Sequence, residues 1–352
     1  MEDYEFESSF NNKYSALTKR IIRLLSEDSR MSITALANGL GVSRKSVETR
    51  LKAAEKELGI KYTVEFDEAK IDLDYPHIIL VKFKHKPNIE ELRKMLESSY
   101  IPQLAIMVKG TYDMLIYANA EDQSQYVYWD KTTQVALAKY GALWEASDLA
   151  FRHIGFFPVR SALVEKLKIP QDHKKILLLL NENSRMSFNE MAKRLGMKPN
   201  TLAYQFKKMQ AAGYVKRFTL VMKRPKGTSM VSVFGKYIIA EGLESDAMVM
   251  RKEVTFTDDK IPVISRCLFS AQLIGSYDYF FIGLYDTPEI GEKRLVQYYK
   301  RQFRRHIVKT TQGAMMDVLV GDFPIRNIDV KKEFNMIRWL PGKELKIEKY
   351  QS

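Results

Sequence analysis

Two short polar faces carry the residue types best suited to touching a nucleic acid. One holds Ser43, Arg44, Lys45, Ser46, Glu48, Thr49 and Lys52; the other holds Lys198, Asn200, Thr201, Tyr204, Gln205, Lys207 and Lys208. Arginine, lysine, asparagine and glutamine match the donors and acceptors of base edges, while lysines and hydroxyls meet phosphate oxygens. Arg44, Lys45, Lys198, Asn200, Tyr204 and Gln205 are the base-edge candidates, with Lys52, Lys207 and Lys208 placed on phosphate. Each face lies opposite an apolar stripe at helical spacing: Val47, Leu51, Ala54 and Leu58 in one, Leu202, Phe206 and Met209 in the other.

Each face must be held out by a second helix, and the sequence supplies one. In the first segment Ser32 is a good cap, Ile33, Leu36, Ala37 and Leu40 follow at helical spacing, and Gly41 closes the helix. Ser43 caps the next helix after a turn of about three residues, which forces a steep crossing. Ser187, Met191, Ala192, Leu195 and Gly196 repeat this logic. Residues 26–60 and 181–215 align without a gap at an offset of 155, sharing Ser-Arg-Met-Ser. A further apolar helix precedes each pair, at 17–25 and 172–180. The pattern predicts two helix-turn-helix heads. Arg30 and Arg185, in the loop before each second helix, suit a phosphate or cap contact as well as a structural one.

A strand–helix–strand–strand–helix–strand order follows each head. The first run has strands at 77–83, 103–109, 114–118 and 143–153, with helices at 89–98 and 124–140. The second has strands at 231–240, 264–274, 279–284 and 311–320, with helices at 244–254 and 289–306. This order predicts an α+β chain in which each winged-type helix-turn-helix domain precedes a ferredoxin-like βαββαβ domain. The predicted boundaries are a disordered tail at 1–13, heads at 14–66 and 168–226, ferredoxin-like domains at 75–158 and 229–325, and a tail at 326–352. Packing the two sheets together is the economical way to cover their open faces.

Matching turns, Gly110-Thr111-Tyr112-Asp113 and Gly275-Ser276-Tyr277-Asp278, are offset by 165. The additional ten residues are placed in 215–228, beside the run Lys223, Arg224, Pro225, Lys226 and Gly227. Lys223, Arg224 and Lys226 there suit either a basic wing on phosphate or an ordinary solvated loop. The first head carries Glu65, Asp67 and Glu68 in its connector instead, so the heads are expected to differ in affinity. The helix at 289–306, with Arg301, Arg304 and Arg305, reads as a solvated outer helix or as a DNA-wrapping or docking face.

Composition narrows the classes. The chain of 352 residues has a net charge of +13. Residues 1–165 net −2 and the remainder +15, so the footprint for a polyanion lies in the second half. No run approaches membrane-spanning length, the acidic start does not read as a secretory signal, and a cytoplasmic protein is expected. Cys267 alone forms no intramolecular disulfide. The five histidines lack metal-ligand spacing, and no nucleophile elbow or phosphate loop is evident, so neither a cofactor nor an enzymatic activity is predicted.

The stretch from Asp172 to Gly196, the Ala-Gly-Tyr-Val ending at 212–215 and both Gly-x-Tyr-Asp turns resemble the Lrp/AsnC transcriptional regulators, here in two tandem copies. The resemblance implies double-stranded DNA as partner and a homodimer or higher oligomer as the assembly. It also implies an amino acid or related metabolite as effector. Gly110, Tyr112, Asp113, Gly275, Tyr277 and Asp278 would line its pocket, although both aspartates also suit a purely structural turn role. Two alternatives accompany the reading. The arrangement also resembles the sirohaem decarboxylases, whose Tyr-Asn-containing ending and clustered His and Arg are not evident here. The other is a protein that coats DNA without sequence preference, or senses a metabolite without DNA.

Overall fold

A computed structural model describes residues 14–73, 75–222, 229–237, 267–285, 287, 289 and 307–325. The first head comprises α1 (Ala16–Glu27), α2 (Ile33–Leu40), α3 (Arg44–Leu58) and the wing strand β1 (Lys61–Phe66). Ser15, Ser32 and Ser43 each accept a hydrogen bond from an amide three residues on, and Gly41 turns out of α2 at φ 66°. Then come β2 (Tyr75–Phe83), α4 (Ile89–Ser98), β3 (Pro102–Gly110), β4 (Met114–Ala120), α5 (Gln123–Leu137) and β5 (Ala142–Gly155).

A single turn, α6 (Ser161–Val164), leads to the second head: α7 (Gln171–Glu182), α8 (Phe188–Leu195), α9 (Pro199–Ala211) and the wing β6 (Val215–Met222). Ser187 caps α8, Gly196 closes it at φ 64°, and Pro199 opens α9 where its missing N–H costs nothing. The strands β7 (Ser229–Tyr237), β8 (Cys267–Ile274), β9 (Tyr279–Tyr285), β10 (Ile307–Val320) and β11 (Phe323–Ile325) complete the described chain. The expected helices at 244–254 and 289–306, and both tails, lie outside the described residues apart from Glu289.

The two four-stranded sheets do more than stack. They join edge to edge into one closed barrel in the order β10-β3-β4-β2-β5-β8-β9-β7. Two matching seams close it, β5 on β8 and β10 on β3. Closure leaves no free sheet edge in the barrel. Its interior is aromatic: Tyr112, Tyr117, Phe157, Phe234, Phe269, Tyr277 and Phe280 are all fully buried.

The heads also depart from two separate domains. Their wings β1 and β6 pair antiparallel with Thr63 opposite Thr219, and β11 extends that sheet beyond β6. Each wing packs into the other head's core. Val64 and Phe66 join the cluster of Ile176, Leu180, Leu202 and Phe206, while Leu220 and Met222 join that of Ile21, Leu25, Leu36 and Leu51. The heads therefore form one folding unit by strand exchange.

The register corrects the placement of the additional residues. Lys61 to Tyr75 and Val215 to Ser229 are equal spans, so the connectors match in length. Phe83 to Pro102 is shorter than Tyr237 to Cys267 by 11 residues, which puts the insertion in 238–266. Backbone bonds confirm the match: the amides of Asp113 and Asp278 donate to the carbonyls of Val81 and Gly235, both at 2.9 Å.

Val81 pairs with Met114, but Gly235 pairs with Tyr279, whose ring fills the space a Cβ at 235 would need. Gly235→Val is expected to lower stability by about 1–3 kcal/mol through overpacking. Adding Tyr279→Met restores the first repeat's pair and should recover most of that loss. Urea melts of the single and double variants test the pairing, which fails if the double variant is no better.

Candidate nucleic-acid interface

Helices α3 and α9 present the polar faces outward. Arg44, Lys45, Thr49 and Lys52 are exposed on α3, as are Lys198, Asn200, Thr201, Tyr204, Lys207 and Lys208 at and along α9; Gln205 is half-buried. The Oγ of Ser43 accepts the Ser46 amide, so this residue serves first as the α3 cap. Arg44 lies 3.9 Å from Glu48 in a loose surface pair. Tyr204 is 55% exposed, with the Lys208 ammonium 4.7 Å from its ring centre. An exposed aromatic beside lysines can stack on a sugar or base and neutralise phosphate together. Lys223, Arg224 and Lys226 lie outside the described residues.

Two carboxylates of the acidic connector have partners within the structure. Glu65 is 2% exposed and pairs with Lys216 at 3.3 Å and Arg217 at 2.6 Å on the opposite wing. Glu68 accepts from the Tyr117 hydroxyl and the Asn119 amide. Glu65 thus ties the two wings together, and Glu68 ties the connector to the barrel strand β4.

Arg30 and Arg185 resolve to a reciprocal clamp between heads. The Arg30 guanidinium donates to the carbonyls of Ser184 and Met186 at 2.5 and 3.3 Å. Arg185 donates to the Ser29 carbonyl at 2.8 Å, and the Ser29 and Ser184 hydroxyls share a 2.6 Å bond. The repeated Ser-Arg-Met-Ser is thus one of the contacts between the copies. Sequence reasoning could see the repeat but not that the repeats touch.

The Gly-x-Tyr-Asp turns are built into the barrel seams. The Asp113 carboxylate accepts the Phe83 amide at 2.8 Å. The Tyr112 hydroxyl bonds Ser232, and that of Tyr277 bonds Thr311. Gly110 faces Gln312 and Gly313, whereas Gly275 faces Asp148, whose carboxylate accepts the Ser276 and Tyr277 amides, both at 2.8 Å. Asp148 carried no sequence signal as a partner of this turn, since the two are joined only by the seam. Asp278 sits at the position of Asp113, its amide donating to Gly235.

The AsnC-type helix-turn-helix domain family matches residues 16–55, and the winged helix-turn-helix DNA-binding family matches 173–216. Both heads therefore match known helix-turn-helix families, the first of them the AsnC type. An uncharacterized HTH-type transcriptional regulator of Pyrococcus horikoshii is 29% identical over 116 residues, 32% of this chain and 78% of the relative. A regulator described in the same words from Pyrococcus abyssi is 29% identical over 115 residues, with the same shares covered. Each match thus spans about a third of this chain, in keeping with its two copies. Among solved structures, the siroheme decarboxylase NirDL shares the fold with a TM-score of 0.55 at 12% identity, covering 92% of this chain and 98% of that one. Among the described residues no helix is long and apolar enough to cross a membrane, and no cluster of acidic, histidine or cysteine side chains could hold a metal.

Proposed function

We propose that this chain is a sequence-specific, DNA-binding transcriptional regulator whose two unlike heads read one asymmetric site. The observation that carries the reading is the pair of exposed polar faces on α3 and α9, held in one unit by the exchanged wings. The faces differ in chemistry: Arg44, Lys45 and Thr49 on one, Asn200, Tyr204 and Gln205 on the other. Two half-sites of different sequence follow, separated by about 10–10.5 bp or a multiple. An amino acid or related metabolite binding near Gly110, Tyr112, Asp113, Gly275, Tyr277 and Asp278 would act through the seams, and a homodimer would rebuild a four-copy assembly.

Selection from genomic fragments, followed by titration at several salt concentrations, tests this. A reproducible two-part motif is expected. Each phosphate contact contributes about 0.9 to the slope of log K against log salt, so Lys207→Ala with Lys208→Ala should flatten that slope by roughly 2. Enrichment of no motif, with binding that collapses uniformly as salt rises, would contradict the reading and favour a coat on DNA.

The whole-chain overlay on NirDL keeps a sirohaem-decarboxylase-like enzyme as the second reading. Titration with iron-uroporphyrin III separates the two. A saturable Soret shift supports the enzyme, and an unchanged spectrum supports the regulator.

A further inference from the structure

We infer that Arg30 and Arg185 are positioning residues that lock each recognition helix to the opposite head, so that the chain accepts one half-site spacing. This inference rests on the regulator reading above and goes beyond it by naming what fixes the geometry. Arg30 belongs to the first head but completes the platform under the second head's recognition helix. Its guanidinium carbon lies 5.4 Å from the ring centre of Phe188 on α8, 5.7 Å from Phe206 on the inner face of α9 and 5.5 Å from Phe218 on β6. Arg185 reaches the other way. It lies 5.1 Å from the ring centre of Tyr62 on β1, and the Tyr62 hydroxyl donates to Glu55 on α3. Each head therefore props the helix that the other presents to DNA.

The side chain has to be arginine. A planar fork can bond carbonyls in its plane while stacking its faces on aromatic rings, which a lysine ammonium cannot do together. Burial draws the Arg30 guanidinium below its ordinary basicity, with the nearby Arg185 charge acting the same way and Asp28 opposing both. Two like charges are thus held close across the interface, and Asp28 together with the carbonyls of Ser29, Ser184 and Met186 offsets them.

The two arms are unequal. Arg30 stands among three phenylalanines, whereas Arg185 meets one tyrosine among the described residues. Loss of Arg30 should therefore loosen the geometry more. The exchanged wings remain in either variant, so the heads should still fold.

The test uses the full chain and the motif selected with the wild type, cloned as a series in which the half-site separation changes base pair by base pair through one turn. Wild type should favour one spacing by at least tenfold. Arg30→Ala should flatten that preference to about threefold or less while keeping affinity for the first head's isolated half-site within about threefold. Arg185→Ala should be intermediate, and Arg30→Lys should resemble Arg30→Ala. A second readout needs no DNA: spin labels at Lys56 and Gln210, on a Cys267→Ser background, should give a narrow distance distribution that broadens in Arg30→Ala. Wild type with a sharp spacing optimum that Arg30→Ala retains, with an unchanged label distribution, overturns the clamp and leaves the regulator intact. Failure of wild type to select any motif overturns the regulator reading and, with it, the inference.

Discussion

Gly110→Ala is expected to open the barrel at one seam. A Cβ at 110 would overlap the Gln312 carbonyl oxygen and stand 2.8 Å from the Gly313 Cα, and both obstacles are backbone of β10. Side chains can rotate away, but this backbone is held by its ladders to β3 and β7. Relief therefore requires the strands to part, with loss of the Thr111 amide bond to Gln312 and of Tyr112 packing against Phe234. Overpacking of this kind ordinarily costs 1–3 kcal/mol; with the seam bonds also weakened, about 3–4 kcal/mol is expected. Gly275→Ala makes the informative contrast. There the Cβ meets the Asp148 side chain, not backbone; that carboxylate can shift by loosening its bonds to the Ser276 and Tyr277 amides, and φ of 153° adds strain for any residue with a Cβ. Urea denaturation should rank Gly110→Ala as the more damaging, and hydrogen exchange in that variant should rise along 105–110 and 313–320. Equal losses, with exchange unchanged at the seam, would show that the barrel closes less firmly than its geometry requires.

The seams also explain what was legible in the sequence. Helix caps and apolar stripes are local signals. Ser32, Ser43 and Ser187 cap the helices they were expected to cap, and the stripe of Val47, Leu51, Ala54 and Leu58 is buried. The strand order was legible for the same reason, because alternation and turn residues mark each strand separately. Contacts between the copies were not legible. Ser29 touches Ser184, Glu65 faces Arg217 and Asp148 fills the Gly275 turn only because two strands exchange and two sheets close. Such contacts leave no periodicity, so the sequence shows the Glu65 connector only as an acidic stretch and Arg30 as a residue of two roles. The insertion was displaced for a related reason. Matching the turns alone fixes a total length difference but not where it falls; the strand spans and the pairing of Gly235 with Tyr279 locate it.

Asp148 marks a place where the two repeats differ in chemistry, and its removal carries the second large expected effect. The residue is 1% exposed, and its two oxygens accept the Ser276 and Tyr277 amides. Its counterpart on the other seam is Gly313, where the Tyr112 ring would stand 3.0 Å from a Cβ. One seam is thus closed by a carboxylate and the other by a tyrosine over glycine. Asp148→Ala leaves two amides without acceptors, at roughly 1–3 kcal/mol each; relief of the buried charge offsets part, leaving a loss of about 2–3 kcal/mol. Asp148→Asn keeps one acceptor and should lose about half as much.

The pH dependence distinguishes the charge from the bonds. Burial raises the Asp148 pKa above the ordinary aspartate range, against the pull of the two amides and of Lys236. A raised folded-state pKa means that the fold favours the neutral acid. That contribution is complete below the unfolded-state value and is lost as pH rises through the folded one. Wild type should therefore hold its largest advantage over Asp148→Asn at the acid end of this window, with the gap narrowing as pH rises through it. Chemical denaturation of both proteins across the window tests the sign. A gap that widens with pH would mean that the amides outweigh burial, so that this turn holds an ionised carboxylate by preference.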